Sequence, residues 1–504
     1  MSGVPREVAS QLFLSMTRTA KLYLLITSLA VLGIFGLVHL GSELPAPVPA
    51  AGETTQLAQP AVGHAPIAGN GSFFANAASA LFQNSASGLG RLFLQLFVIL
   101  VACAIVAGLF TRLGQPAVVG EMMAGILLGP SLFGWLAPHA FGFLFAPSTL
   151  EPLRLLSQIG VCLFMFAVGM ELDVAHLRRQ VQTAILVSHS SIVIPYLLGV
   201  AFALFVYSAL AKAGASFTAF ALFMGISMSI TAFPVLVRIL KDRRLFNTSL
   251  GATATACAAV DDVTAWTILA FVVAIARAAN LSAATFSFAL VLIFVGLMLT
   301  LVRPAIYRLI GQPAMEEPEP NRRTLGIVVA IVLASSFSTE TIGIHALFGA
   351  FLAGVIMPRT NDFREKLAIR VENISSVLFL PVFFAFTGLR TQIGLLNTGY
   401  DWAVCGIIIG IATLGKLGGS ALAARLTGLN GRSSLQLGAL MNTRGLMELI
   451  ALNIGYDLGI LSQRIFAMLV IMALVTTTLT GPLLTLFGSR APALARPGEE
   501  PIYS

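Results

Sequence analysis

Charge is what this sequence has least of. Only 10% of its 504 residues are Asp, Glu, Lys or Arg, against about a quarter in soluble domains. That shortage argues against a water-soluble globular chain. Cysteine is also scarce. Cys103, Cys162, Cys257 and Cys405 all fall inside apolar stretches. They lack CxxC, metal or disulfide spacing and read as small core residues. No GxGxxG follows a strand, so no nucleotide-binding module is fused here, and no Walker A string supports an ATP-driven pump. There is no HExxH, and no nucleophile and base share one depth, so an enzyme is not expected. Nothing calls for a cofactor. The net charge of +8 is spread over short loops, which makes no nucleic-acid footprint.

What is present is apolar length. Hydrophobic residues make up 57% of the chain, and its mean hydropathy is +0.90. Runs of about 20 apolar residues recur, as in polytopic helical membrane proteins. Residues 1–41 read as either a signal peptide or a membrane anchor. Residues 42–88, rich in Ala, Pro, Gly and Ser and without Lys or Arg, read as a flexible periplasmic loop. Thirteen segments follow within 89–490, near 89–111, 116–136, 152–172, 182–209, 217–240, 247–276, 282–310, 324–340, 344–358, 368–395, 402–424, 433–456 and 464–488. Residues 491–504 read as a short cytoplasmic tail. Alternating these segments puts 22 of the 30 basic residues on the N-terminal side and 6 on the other, with Lys416 and Arg444 inside. The positive-inside rule then places both termini in the cytoplasm of a bacterial-type inner membrane. A cleaved signal would instead leave the mature N-terminus outside.

Against that background, buried charge is the informative rarity. Asp261 and Asp262 are adjacent in ATATACAAVDDVTAWTILAFVVAIA, with no other charge between Arg244 and Arg277. At 1.5 Å per residue Asp261 sits roughly 21 Å into the segment that starts near Asn247, close to mid-membrane. An acid at that depth is a functional-site hypothesis by default. Lys416, in IIIGIATLGKLGGSALAARL, reaches a similar depth and is the natural partner for one acid. Neighbouring helix positions diverge by about 100°, so both acids cannot face one partner. One can pair with Lys416 while the other faces a cavity. There it holds either a proton or a bare monovalent cation, and not both. That competition is what an antiporter needs.

Two segments read as broken helices. MGISMSITAFPVLVRIL carries Gly225, Ser227, Ser229, Thr231 and Pro234, and GALMNTRGLMELIAL carries Gly438, Asn442, Thr443 and Gly445 around Arg444. Interrupted membrane helices tend to lie at substrate sites. Their positions, fifth and twelfth of thirteen, fit an inverted repeat. In that repeat Lys416 is expected at the place comparable to the Asp pair. Arg444 and Glu448 are four apart, on one helix face, and read as a mainly structural pair. His189 reads as a hydrogen-bonded core histidine. GEMMAGILLGPSLFG, with its repeated glycines, reads as close helix packing.

With these strings assembled, the sequence resembles the monovalent cation:proton antiporter-2 family, the sodium/hydrogen exchanger type of membrane domain. The resemblance is carried by GEMMAGILLGPSLFG (120–134), SITAFPVLVRIL (229–240), AAVDDVTAWTILA (258–270), FFAFTGLRTQIGLL (383–396) and ALMNTRGLMELIALNIG (439–455). It implies an all-α fold of about thirteen core helices in two inverted repeats, with two broken crossing helices. It also implies a homodimer in membrane lipid and an elevator-like cycle. In paired-Asp members the second acid carries cation and proton, and the first pairs with a membrane lysine. That gives Asp262 as carrier of the transported monovalent cation, Asp261 as its partner, Lys416 as counter-ion and Thr231 as a source of polar oxygens. The strings are closest to a branch with plant and fungal endomembrane exchangers, many of which carry Asn-Asp where this chain has Asp-Asp. The expected function is exchange of Na+ or K+ for protons. The alternatives are a sodium-coupled symporter of an organic anion and an uncoupled ion channel.

Overall fold

The computed structural model describes residues 6–45, 88–171, 181–277, 281–317, 319–359 and 362–488. Most of the expected loop at 42–88 and the tail at 491–504 lie outside the described residues. Eleven helical stretches among the described residues are long and apolar enough to cross a membrane. Two broken pairs and one ten-residue helix fall where the sequence map has its other three segments.

Helix α1 (Arg6–Gly41) precedes the core and packs on α5 (Val181–Leu210). The first half of the core is α2 (Gly88–Arg112), α3 (Ala117–Leu128), α4 (Leu150–Glu171), α5, the broken pair α6 (Phe217–Ser227) and α7 (Phe233–Asp242), and α8 (Ser249–Arg277). A linker helix, α9 (Leu281–Leu297), runs through a π turn into α10 (Arg303–Ile310). The second half repeats the order: α11 (Arg322–Ile342), α12 (Ala346–Val355), α13 (Phe363–Ile374) continuing into α14 (Leu380–Arg390), α15 (Gly399–Leu426), the broken pair α16 (Gly431–Met441) and α17 (Leu446–Asp457), and α18 (Gln463–Phe487). One linker crossing between two six-segment halves makes the second half inverted.

That symmetry corrects one expectation. The Asp pair sits on α8, the sixth segment of its half, whose counterpart is α18. Lys416 sits on α15, the fourth segment, whose counterpart is α5. The lysine and the acids are therefore not symmetry mates. They meet because α5 packs against both α15 and α8.

Glycines set the closest crossings between the halves, and they do so reciprocally. A Cβ on Gly388 would lie 1.9 Å from the Gly125 carbonyl carbon, and one on Gly125 would lie 2.2 Å from the Phe384 oxygen. At the mirror-image crossing, a Cβ on Gly354 would lie 2.1 Å from the Phe166 oxygen, and one on Gly169 would lie 2.2 Å from the Phe351 oxygen. Thus α3 of one half locks onto α14 of the other, and α12 onto α4. The strings AGILLGP (124–130) and AGVIMP (353–358) place these glycines alike. The close packing expected of GEMMAGILLGPSLFG is what the structure shows. The α12 helix is shorter than the segment read at 344–358: ten residues, a rise of about 15 Å.

The first three segments of each half form one packed body and the last three form another. On the face bearing the α8 C-terminus, polar contacts tie the two bodies. Arg390 of α14 pairs with Asp457 at 2.7 Å and donates to Asn453 Oδ1 at 3.0 Å. Arg277 of α8 lies 3.6 Å from Glu340 and donates to the Gly343 carbonyl.

Candidate ion-binding site

The site is built where two helices stop inside the membrane. A helix end leaves up to four backbone groups unsatisfied. In a bilayer core no water can take them, so side chains or neighbouring backbone must. Pro234 lacks an amide hydrogen, and the polar run SMSIT precedes it, so α6 ends at Ser227 and α7 begins at Phe233. The carbonyls at and just past the α6 C-terminus end on cations. Arg444 Nη1 donates to the Ser227 carbonyl at 2.8 Å, and Nη2 donates to that of Met228. Lys416 Nζ donates to the Ser229 carbonyl. Cations at a helix C-terminus also meet the negative end of its dipole.

The second break interlocks with the first. The Ala232 amide donates to the Thr443 carbonyl at 3.0 Å, and Thr231 Oγ1 donates to that of Met441 at 3.0 Å. Thr477 Oγ1 of α18 donates to the Arg444 carbonyl and accepts from its amide. Arg444 and Glu448 form a fully buried ion pair at 3.1 Å. With the Ser227 and Met228 carbonyls on the same guanidinium, Arg444 ties the second break to the first.

The two acids have opposite surroundings. Both are fully buried. Asp261 Oδ1 accepts from Ser191 Oγ at 2.9 Å, and Oδ2 accepts from the Thr231 amide at 3.0 Å. Lys416 Nζ lies 3.6 Å from Oδ2. Asp262 has neither oxygen hydrogen-bonded. The Phe233 amide, at the start of α7, is directed toward it without reaching hydrogen-bond geometry. Its carboxylate borders a small cavity lined by Ile230, Ala265, Trp266, Leu269 and Met447. So the 100° between neighbours turns Asp261 onto α5 and α15 and turns Asp262 toward the crossing.

Sequence reasoning brought Asp261, Asp262, Thr231 and Lys416 to one place, and the structure puts them there. It gave three other residues no role at the site. Trp266 roofs the Asp262 cavity and packs edge-on against Phe348, with ring centres 5.2 Å apart. It lies one turn after Asp262, so helical periodicity pointed to it. Ser229 gives the lysine a carbonyl, and only its place in the broken run marked it. Ser191 touches both Asp261 and Lys416, yet is one more serine in an apolar run. His189, on the same helix, hydrogen-bonds through Nδ1 with the Ile185 carbonyl at 2.8 Å and packs against Tyr23. It is the hydrogen-bonded histidine expected.

A family model described as sodium/hydrogen exchanger, transmembrane, matches residues 97–489. The chain belongs to this family. Over 390 residues it is 43% identical to the Na(+)/H(+) antiporter NhaS4 of Synechocystis, covering 77% of this chain and 95% of that one. It is 33% identical over 410 residues to the K(+)/H(+) antiporter 1 of Saccharomyces cerevisiae, covering 79% of this chain and 46% of that one. The chain thus spans nearly all of the cyanobacterial relative and about half of the yeast one. In fold it is similar to the sodium proton antiporter MjNhaP1 of Methanocaldococcus jannaschii, with a TM-score of 0.53 over 79% of this chain and all of that one at 15% identity.

Proposed function

We propose that this integral, multi-pass membrane protein exchanges a monovalent cation, Na+ or K+, for protons by alternating access, with Asp262 as the shared binding group. It is a transporter in this reading, not an enzyme. The observation that carries the reading is the contrast between the acids. Asp261 is held by a lysine and two hydrogen bonds, whereas Asp262 is buried with neither oxygen partnered. An unpaired carboxylate inside a membrane is costly. One proton or one monovalent cation removes that cost, so the two compete for the same oxygens. The body carrying α5–α8 and α15–α18 crosses only when Asp262 is neutralised. Na+ and K+ both stand in the names of the relatives. The functional unit is a homodimer in lipid, in a bacterial-type inner membrane, with the more basic loops in the cytoplasm.

The test uses purified protein in proteoliposomes at zero membrane potential. A pH-sensitive dye reports proton movement as Na+, K+, Li+ and Ca2+ are titrated. Wild type is expected to move protons when Na+ or K+ is added. Asp262→Asn is expected to abolish that signal while eluting like wild type and melting no lower, because it removes an unpartnered buried charge. Retained exchange in Asp262→Asn overturns the reading. Flux that demands an organic anion makes it a symporter, and cation flux without proton coupling makes it a channel.

A further inference from the structure

We propose that Ser191 is a positioning residue of this site: its hydroxyl bridges Asp261 and Lys416, fixes both side chains on one side of α8, and so leaves Asp262 as the acid that exchanges. The inference rests on the antiport reading above and deepens it.

The direct contact between the two ions is loose. Lys416 Nζ and Asp261 Oδ2 are 3.6 Å apart, whereas a charge-assisted N–H···O bond spans about 2.7–2.9 Å. Ser191 Oγ fills the gap, 2.9 Å from Asp261 Oδ1 and 3.0 Å from Lys416 Nζ. A hydroxyl has one donor and two acceptor sites. An ammonium can only donate and a carboxylate can only accept. The hydroxyl therefore has a single arrangement that satisfies both: it donates to the acid and accepts from the lysine.

The backbone of the same residue adds a second contact. Lys416 Nζ donates to the Ser191 carbonyl at 3.3 Å. In an unbroken helix the amide of residue 195 would take that carbonyl, but residue 195 is a proline inside α5 and has no amide hydrogen. Pro195 thus frees the acceptor that the lysine uses. Small residues around the lysine let α15 come close enough. A Cβ on Gly415 would lie 3.2 Å from the Pro195 Cα, and one on Gly419 would lie 3.0 Å from the Ser190 carbonyl oxygen. Together Ser191, Pro195, Gly415 and Gly419 form a seat for one ammonium beside one carboxylate.

Other ionisable groups act electrostatically on this seat or on Asp262 beside it. Cys257 and Asp262 share the α8 helix with Asp261, Arg444 and Glu448 approach Lys416 from the second broken helix, and Glu171 acts on Asp262 from α4. Without the bridge, Asp261 keeps only the Thr231 amide and a 3.6 Å contact with Lys416, and its carboxylate is no longer fixed beside Asp262. Asp262 then has the negative charge beside it displaced and holds both cation and proton more weakly.

Ser191→Ala, read by the same proteoliposome assay, tests this. A hydrogen bond to a charged group is worth about 1.5–3 kcal/mol, or at least roughly tenfold. The expected result is an apparent KM for the cation raised about tenfold, and a pH profile of exchange moved about one unit to lower pH. Ser191→Thr, which keeps the hydroxyl, is expected to restore both. Complete loss of exchange in the alanine variant, with activity kept by threonine, also supports the bridge. If the alanine variant does not fold, Ser191→Cys, a far weaker donor, carries the same expectation. A variant with wild-type KM and pH profile overturns the inference, as does a threonine variant that behaves like alanine. Lower thermal stability with an unmoved pH profile assigns Ser191 a purely structural role and also overturns it. A wild type that moves no protons overturns the antiport reading itself, so the two failures are distinct.

Discussion

Replacing Lys416 with methionine should destabilise the fold by an amount the geometry sets. The methionine keeps the apolar stem and removes the ammonium. It leaves the Ser229 carbonyl without its donor, and it leaves Asp261 a buried anion with only the Ser191 hydroxyl and the Thr231 amide. Breaking a buried pair from one side costs about 3–5 kcal/mol, because the other charge stays behind. Unfolding entropy of about 2.1 cal/mol/K per residue gives about 1 kcal/mol/K for a chain this long. The expected fall in Tm is therefore about 3–5 °C, measured in detergent by the loss of the monodisperse peak after heating. Asp261→Asn should lower Tm as well. The double variant removes both charges and should melt higher than the sum of the two single losses allows, by at least about half of the Lys416→Met effect. Strictly additive losses, or a Lys416→Met protein that melts like wild type, would refute an energetically coupled pair.

Two further outcomes follow from the same geometry. Arg444→Met should leave the Ser227 and Met228 carbonyls and Glu448 without a cation, and Arg444→Lys should not rescue it, since one ammonium cannot reproduce the guanidinium fork. Both should lose most of the monodisperse protein on size exclusion, and full recovery of the lysine variant would count against Arg444 as the tie between the two breaks. Gly388→Ala should fail to yield folded protein, with its Cβ 1.9 Å from backbone carbon of Gly125. Gly406→Ala and Gly410→Ala, with nothing within 4 Å of the added carbon, should be neutral or raise stability by about 0.5–1 kcal/mol. Thermal melts of the three decide it.

Much of the fold was legible because a membrane forces it to be. Hydrocarbon admits few charges and demands that backbone polar groups be satisfied locally. Span length, loop charge and the rare buried ion therefore surface directly in the sequence. The Gly, Pro and polar runs at 225–234 and 438–445 announced the two breaks for the same reason. The helix Ala346–Val355 is shorter than the segment read at 344–358, because composition does not record where within an apolar run the helix ends. The claim that Lys416 holds the place comparable to the acids failed because the lysine helix precedes its broken pair whereas the acid helix follows its own, so lying next to a break is not equivalence in the repeat.

By itself, the sequence determined that the chain is a bundle of membrane helices and that Asp261, Asp262 and Lys416 lie at depth. Low dielectric makes charge there so costly that its presence alone carries information. Tertiary structure decided which acid has partners. Adjacent residues share composition, depth and helix, and differ only in the direction they face. That direction acquires meaning once α5 supplies Ser191 and α15 supplies Lys416 on one side of α8. On the other side the crossing leaves Asp262 beside a small cavity.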